Sequence, residues 1–141
     1  MNTFPLPKFN NPKLLKQALT HRSLNNHNER LEFIGDGILQ GIVTARLSQR
    51  FSKASEGVLT QKRSALVCNK TLADIARKIS LGKHLHMLMH AEKQGCRKSS
   101  GVLSDALEAV IGAYFVDSGY NYKKVESYTV RLFKASRLGQ L

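Results

Sequence analysis

Apolar residues recur along most of this chain at the three- and four-residue spacing of helices, and nowhere alternate as convincing strands. Leu14, Leu15, Ala18 and Leu19 give a short first helix, opened by Asn11 as a cap and by Pro12 at the first helical position. A longer helix is predicted from about Glu29 to Ser52, with Leu31, Ile34, Ile38 and Ile42 at helical spacing. Ser55 is placed to cap a third helix holding Val58, Leu59, Leu66 and Val67. Asn69 is placed to cap a fourth, carrying Leu72, Ile75, Ala76 and Ile79. Gly82 is the expected residue just past that helix's end. Residues 82–100 read as short helical turns around a polar loop. Another helix opens at Ser99 or Ser100 and runs to about Val116, where Asp117-Ser118-Gly119 breaks it. Asn121 caps a last helix reaching towards Leu138. With no repeat, low-complexity segment or internal linker, the expectation is a single all-α domain over residues 1–141.

Composition narrows the partner. The 42% hydrophobic and 23% charged content is that of an ordinary globular domain. No apolar run approaches the roughly 20 residues that cross a bilayer, so no membrane partner is expected. The start, MNTFPLPKFN, lacks the basic-then-apolar layout of a secretory signal, which makes a cytoplasmic, reducing location the default. Cys68 and Cys96 are therefore expected as free thiols. Against 10 Asp and Glu stand 22 Lys and Arg, a formal charge of +12. Bases spread along the chain favour a surface field over a flexible tail, and a polyanion such as nucleic acid as its partner. A membrane surface or an acidic protein is the usual rival.

With so few acids, their clustering carries information. Glu29, Glu32 and Asp36 lie within roughly 60° of one another on a helix, forming one stripe. Leu31, Phe33, Ile34, Ile38 and Leu39 make much of the rest of that helix apolar, so the stripe is expected to be partly enclosed. Stacked, dehydrated carboxylates repel one another, and a hard divalent cation relieves them better than a Lys or Arg does. The plainer reading is a solvated acidic face paired with Arg30 or Arg46. Asp105 and Glu108, spaced i, i+3, share a face of the later helix. Ala106, Ala109, Gly112 and Ala113 around them let another helix approach closely. Taken alone, Asp105 reads as a helix-start residue favoured by the macrodipole. Two such acidic helices in one basic domain read instead as a metal site that brings a cation to a phosphate.

These segments resemble a known family. HNERLEFIGDGIL is similar to the signature of ribonuclease III catalytic domains, and ALTHRSL to the segment that leads into it. SEGVLTQKRSALVCNKTLADIARKISLG resembles the family's middle helices, and SDALEAVIGAYFVDSG its second acidic motif. The likeness runs from about Ala18 to Gly119 in family order, and the first motif is long and specific. It implies the all-α ribonuclease III endonuclease fold, a symmetric homodimer, and hydrolysis of double-stranded RNA dependent on Mg²⁺, with Mn²⁺ as a substitute. The implied products carry 5′-phosphates and 3′-hydroxyls, with short 3′ overhangs.

By the same resemblance, Glu32, Asp36, Asp105 and Glu108 are the catalytic metal ligands. Glu29 and Glu56 match supporting acids near a valley between subunits, and Phe33 an aromatic that packs into the partner. Its alternative is ordinary intrachain core. Context makes Glu32 and Asp36 the stronger pair, whereas Asp105 and Glu108 depend on the family motif. Arg97 and Lys98, just before that motif, are candidate phosphate contacts, with solvated loop charge as the alternative.

Two departures stand out. LGKHLHMLMHAEKQGCRKSSG replaces a region that is usually glycine-rich, and Gly101-Val102-Leu103-Ser104 replaces the more usual Ser-Ile-Leu-Ala. A double-stranded-RNA-binding domain, common after the catalytic domain in this family, is not expected within these residues, so weaker, more salt-sensitive RNA binding is expected. His84, His86 and His90 invite a zinc site, but no closed ligand set accompanies them even with Cys96 nearby. His21 and His27 read as structural hydrogen-bonders.

Overall fold

The computed structural model describes residues 6–136 and 141. Seven α-helices follow one another within them: α1 (Pro12–Ala18), α2 (Glu29–Arg50), α3 (Glu56–Val67), α4 (Asn69–Lys78), α5 (Met89–Lys93), α6 (Ser100–Asp117) and α7 (Tyr122–Ser136). Two 3-10 turns, Leu81–His84 and Cys96–Lys98, flank α5. The only strand-like pairing among the described residues is an isolated bridge between Thr20 and His86. None of the helices described is long and apolar enough to cross a membrane.

The centre of the fold is α6. From Leu103 to Ala113 every residue but Asp105 is buried, the pattern of a helix enclosed on all sides. Around it pack α1, α2, α4 and α7, with α2 contributing the most extensive interface. The inward positions of α2 are Leu31, Gly35, Leu39, Ile42, Val43 and Leu47, one face of a helix. At the crossing Gly35 and Gly112 bring the two backbones together: a Cβ on Gly112 would lie 2.7 Å from the Gly35 nitrogen. A Cβ on Gly35 would collide with the Glu108 carbonyl. Of the small residues expected to admit another helix, Gly112 does so, and the helix it admits is α2.

Capping follows the sequence at four of five expected places. Asn11 Oδ1 accepts from the Lys13 N–H at 3.1 Å, and Ser55 Oγ from Val58 at 3.3 Å. Ser99 Oγ accepts from Val102 at 3.5 Å, and Asn121 Oδ1 from Lys124 at 3.2 Å. Asn69 is the exception. It is the first residue of α4, and its Oδ1 accepts from Ser104 Oγ at 3.1 Å, tying α4 to α6 rather than capping it.

Gly82 also differs from expectation. The left-handed residue after α4 is Ser80, with φ 56°, and Gly82 sits inside the first 3-10 turn. Its lack of a side chain serves packing, since a Cβ there would lie 3.2 Å from the Arg97 carbonyl oxygen and 3.3 Å from Leu103. The helix expected to reach Ser52 stops at Arg50, with Phe51 as its C-cap. No residue of α3 is buried, and Val58 is 43% exposed, because α3 packs only along α2 and α4. The expected end of α7 near Leu138 lies outside the described residues.

Candidate active site

The loop between α1 and α2 forms one wall of the site. The His21 N–H donates to His86 O at 2.8 Å and the His86 N–H to Leu19 O at 2.8 Å, fastening this loop to the segment before α5. Buried Asn28 anchors its other end: its Nδ2 donates to Ala18 O at 3.2 Å and its N–H to Thr20 O at 3.0 Å. His21 Nδ1 accepts from the Ser23 N–H at 3.1 Å, which leaves the ring proton on Nε2. His27 Nδ1 accepts from the Glu29 N–H at 3.4 Å and so serves the first turn of α2, while Asn28 makes no side-chain cap. Both histidines are structural hydrogen-bonders, and His21 also faces the cleft.

That cleft has a volume of about 480 Å³ and is lined by His21, Arg22, Asn28, Glu29, Glu32, Phe33, Asp36 and Asp105, with Ser99, Gly101 and Val102 at the start of α6. Glu32 comes from α2, Asp105 and Glu108 from α6, and one oxygen of each lies within 4.8 Å of the others. Asp36, exposed on the next turn of α2, lines the same cleft outside that tight group. The structure therefore groups Glu32 with Asp105 and Glu108, while the charge of Asp36 still reaches Glu108. Phe33 also borders the cleft and is 79% exposed, so it is not intrachain core.

Electrostatically the group is strained. Burial, then the charges of Asp36, Asp105 and Glu32, push the Glu108 carboxyl up to about 8. Glu32 is raised by burial and by Asp105, Glu29 and Asp36, with Arg22 opposing. Asp105 is raised by burial and Glu29, while Arg22, a hydrogen bond with Glu32 and His21 pull it down. Neither Arg30 nor Arg46 pairs with these acids: Arg46 donates to the Leu141 carbonyl at 3.1 Å. Arg22 is the basic residue whose field reaches them, and it was not singled out from the sequence. It lies within THRSL, directly before the acidic helix, and that position was the available signal.

Other expected site residues lie elsewhere. Glu56 borders a mostly apolar groove between α2 and α3, where its carboxylate accepts from Thr60 Oγ1 at 3.0 Å. Within one chain it does not reach the acidic cleft. Arg97 is occupied. Its Nε donates to both Glu92 oxygens at 2.9 Å, and its Nη1 to the carbonyls of Gly82 at 2.7 Å and Leu85 at 2.8 Å. It acts as a staple within the chain rather than as a solvated loop charge. Lys98 is exposed. His84, His86 and His90 are all exposed and stand on three different segments, and the metal-capable group found among the described residues is the carboxylate one. Both cysteines are free thiols.

Comparison with known proteins agrees with this architecture. A family model described as ribonuclease-III-like matches residues 11–131. Ribonuclease 3 of Clostridium botulinum (strain Eklund 17B / Type B) is 45% identical over 120 residues, covering 81% of this chain and 52% of the relative. Ribonuclease 3 of Shewanella sediminis is 46% identical over 113 residues, covering 79% and 50%. The chain thus spans about half the length of the curated relatives it matches. The nuclease domain of ribonuclease III from Campylobacter jejuni, described as flexible in a region involved in dimer formation, superposes with a TM-score of 0.88 at 38% identity, covering 92% of this chain and 90% of that one. Dicer from Pichia stipitis gives 0.73 at 32% identity, over 94% of this chain and 59% of that one. From its helices, its two-helix acidic cleft and these likenesses, the chain belongs to the ribonuclease III-like family.

Proposed function

We propose that this domain is a metal-dependent endoribonuclease acting on double-stranded RNA in the cytoplasm, leaving 5′-phosphate and 3′-hydroxyl ends with short 3′ overhangs. The observation that carries the reading is the convergence of Glu32, Asp105 and Glu108 from two helices, with Asp36 beside them, in a cleft of a strongly basic chain. Three carboxylates with oxygens this close, all with raised proton affinity and one arginine nearby, fit a hard divalent cation. Mg²⁺ is the expected ion, with Mn²⁺ as a substitute. When bound, such a cation supplies an activated water and charge stabilisation for a leaving oxygen.

The chain's own groups supply the rest. Glu32, Asp105 and Glu108 act as ligands, Asp36 completes the set from the cleft's edge, and Glu29 adds negative charge that draws the cation in. Arg22 offsets part of the repulsion and is positioned for a phosphate beside the acids. RNA duplex is read through its backbone and 2′-hydroxyls, which suits a site with few groups able to read base edges.

The site is proposed to work as a symmetric homodimer that cuts both strands. An exposed phenyl beside the cleft supports this, since Phe33 is apolar surface that a second copy would cover. Glu56 would then serve as a supporting acid of a valley shared between subunits. The proposed unit is one catalytic domain over residues 1–141.

The deciding assay incubates the protein with duplex RNA, single-stranded RNA and duplex DNA, each with Mg²⁺, Mn²⁺ or excess chelator. Cutting of duplex RNA alone, restored by either metal, is expected. Undiminished cutting in chelator overturns the metal-dependent reading. Glu108→Gln should lower the cleavage rate by at least about a hundredfold, as the loss of a ligand worth several kcal/mol implies, while leaving duplex binding largely intact.

A further inference from the structure

His21 is buried, at 8% exposure, yet it lines the acidic cleft, so the part of its ring left open faces that space. Its Nδ1 accepts from the Ser23 N–H at 3.1 Å and lies 2.9 Å from Ser23 Oγ, which itself accepts from the Leu88 N–H at 3.0 Å. With Nδ1 an acceptor, the hydrogen shared with Oγ belongs to Ser23, and the ring's own proton sits on Nε2. Nε2 makes no hydrogen bond among the described residues. We propose that His21, oriented by Ser23, donates this Nε2–H to the oxygen of a ribose 2′-hydroxyl in the cleft, and so sets a preference for RNA over DNA at the cut. This rests on the ribonuclease reading above and deepens it to one contact that selects the sugar.

The donor is fixed before any substrate arrives. The His21 N–H is held by His86 O at 2.8 Å, and its carbonyl by the Leu24 N–H at 3.0 Å. Hydrogen bonds run in one direction from the Leu88 amide through Ser23 Oγ to Nδ1. Such a chain polarises the ring and strengthens Nε2–H as a donor. Burial, then the Arg22 charge, lower the proton affinity of the ring, with Asp105 opposing, which keeps the imidazole uncharged at neutral pH.

The chemistry of the cleft selects the acceptor. Glu29, Glu32, Asp36 and Asp105 line it as carboxylates, and Asn28 lines it with its amide already spent on Ala18 O. A phosphate oxygen there is met by the Arg22 guanidinium or by a bound cation, since charged partners make the stronger bond. A single uncharged N–H beside carboxylates matches a hydroxyl, which accepts one hydrogen bond from Nε2 and donates another to a carboxylate. In an RNA duplex that group is the 2′-hydroxyl, and DNA has none.

The test measures single-turnover cleavage with Mg²⁺ for duplex RNA and for duplexes carrying one 2′-deoxynucleotide at each position flanking the cut. Wild-type protein should be slowed about tenfold at one such position, the size of one uncharged hydrogen bond. In His21→Asn the new Oδ1 takes the place of Nδ1 towards the Ser23 N–H, while nothing replaces Nε2–H. This variant should cut the all-ribose duplex about tenfold more slowly, and the sensitive 2′-deoxy position should then cost nothing further. Its Mg²⁺-induced rise in melting temperature should match that of wild type. Ser23→Ala leaves the ring in place and should show a 2′-deoxy penalty smaller than that of wild type.

Wild-type protein that cuts no duplex RNA with Mg²⁺ defeats the ribonuclease reading and this contact with it. Wild-type protein that cuts every 2′-deoxy duplex at the full rate defeats the contact alone. A His21→Asn variant that is slower yet keeps the whole 2′-deoxy penalty makes its acceptor another backbone oxygen and overturns the assignment. Loss of the Mg²⁺-induced rise in that variant would make His21 a support for Asp105 instead, and overturns it as well. A Ser23→Ala penalty equal to that of wild type removes the orientation by Ser23, and the device falls.

Discussion

Gly35 of α2 and Gly112 of α6 meet at the point where the two acidic helices cross, each where a β-carbon would enter the other helix's backbone. The Glu108 carbonyl rests against Gly35, so the height of Glu108 above Glu32 is set by a glycine. Gly35→Ala should therefore force the helices apart. Overpacking of this kind costs about 1–3 kcal/mol, and here it also pulls the α6 carboxylates away from Glu32. A lower melting temperature is expected, with loss of any Mg²⁺-induced rise. A variant that melts lower yet keeps the full Mg²⁺ response would show that the crossing does not set the site.

How much of this was legible beforehand depends on the kind of signal. The caps at Asn11, Ser55, Ser99 and Asn121 read correctly because each acts on a backbone N–H two or three residues on. Asn69 did not, because Ser104, 35 residues later, competes for its oxygen. By local rules Gly82 reads as a helix end, whereas its role is contact with Arg97 and Leu103, again distant partners. In the site, helical spacing grouped the acids within each helix, and the family motifs joined the two sets. No spacing rule could show that Glu32, Asp105 and Glu108 bring oxygens within 4.8 Å of one another across two helices, nor that Arg97 is spent on two carbonyls and a carboxylate.

The elevated proton affinities carry a pH signature. Glu108 titrates near 4.5 when unfolded and at about 8 when folded, so between those values the folded chain holds more protons. Stability from this group is full below about pH 4.5 and is lost as pH rises through about 8. Glu32 and Asp105 shift in the same direction. Metal-free protein should thus lose stability from pH 5 towards about 9, and Mg²⁺ should protect most at the upper end, where it need not displace protons. Glu108→Gln should flatten the metal-free profile. Melting curves in chelator decide it: parallel profiles for wild type and variant would remove Glu108 as the source.

Arg97 offers a sharper contrast between two roles. As a staple it satisfies the Gly82 and Leu85 carbonyls, so Arg97→Met should destabilise the chain by about 1–3 kcal/mol. Amide exchange should quicken across residues 82–98. Arg97→Lys should rescue little, because one ammonium cannot reproduce a planar fork directed at four acceptor oxygens. Were Arg97 instead a phosphate contact, the lysine variant would keep both stability and RNA affinity, and that result would return it to the binding surface.

Phe33 tests the assembly. A phenyl 79% exposed gains nothing from its own chain, so Phe33→Ala should leave the melting temperature of the isolated subunit almost unchanged. In a symmetric dimer the ring is buried twice, once from each copy. At about 1.5–3 kcal/mol per buried side chain, the two together contribute roughly 3–6 kcal/mol. That corresponds to a dimer dissociation constant raised by at least about a hundredfold. Sedimentation across a range of protein concentrations measures it directly. If, as proposed, each cleft cuts one strand of a duplex, cleavage of both strands should fall in step with the dimer. A wild-type protein that stays monomeric at every concentration, or a variant that dimerises as well as wild type, would detach Phe33 from assembly.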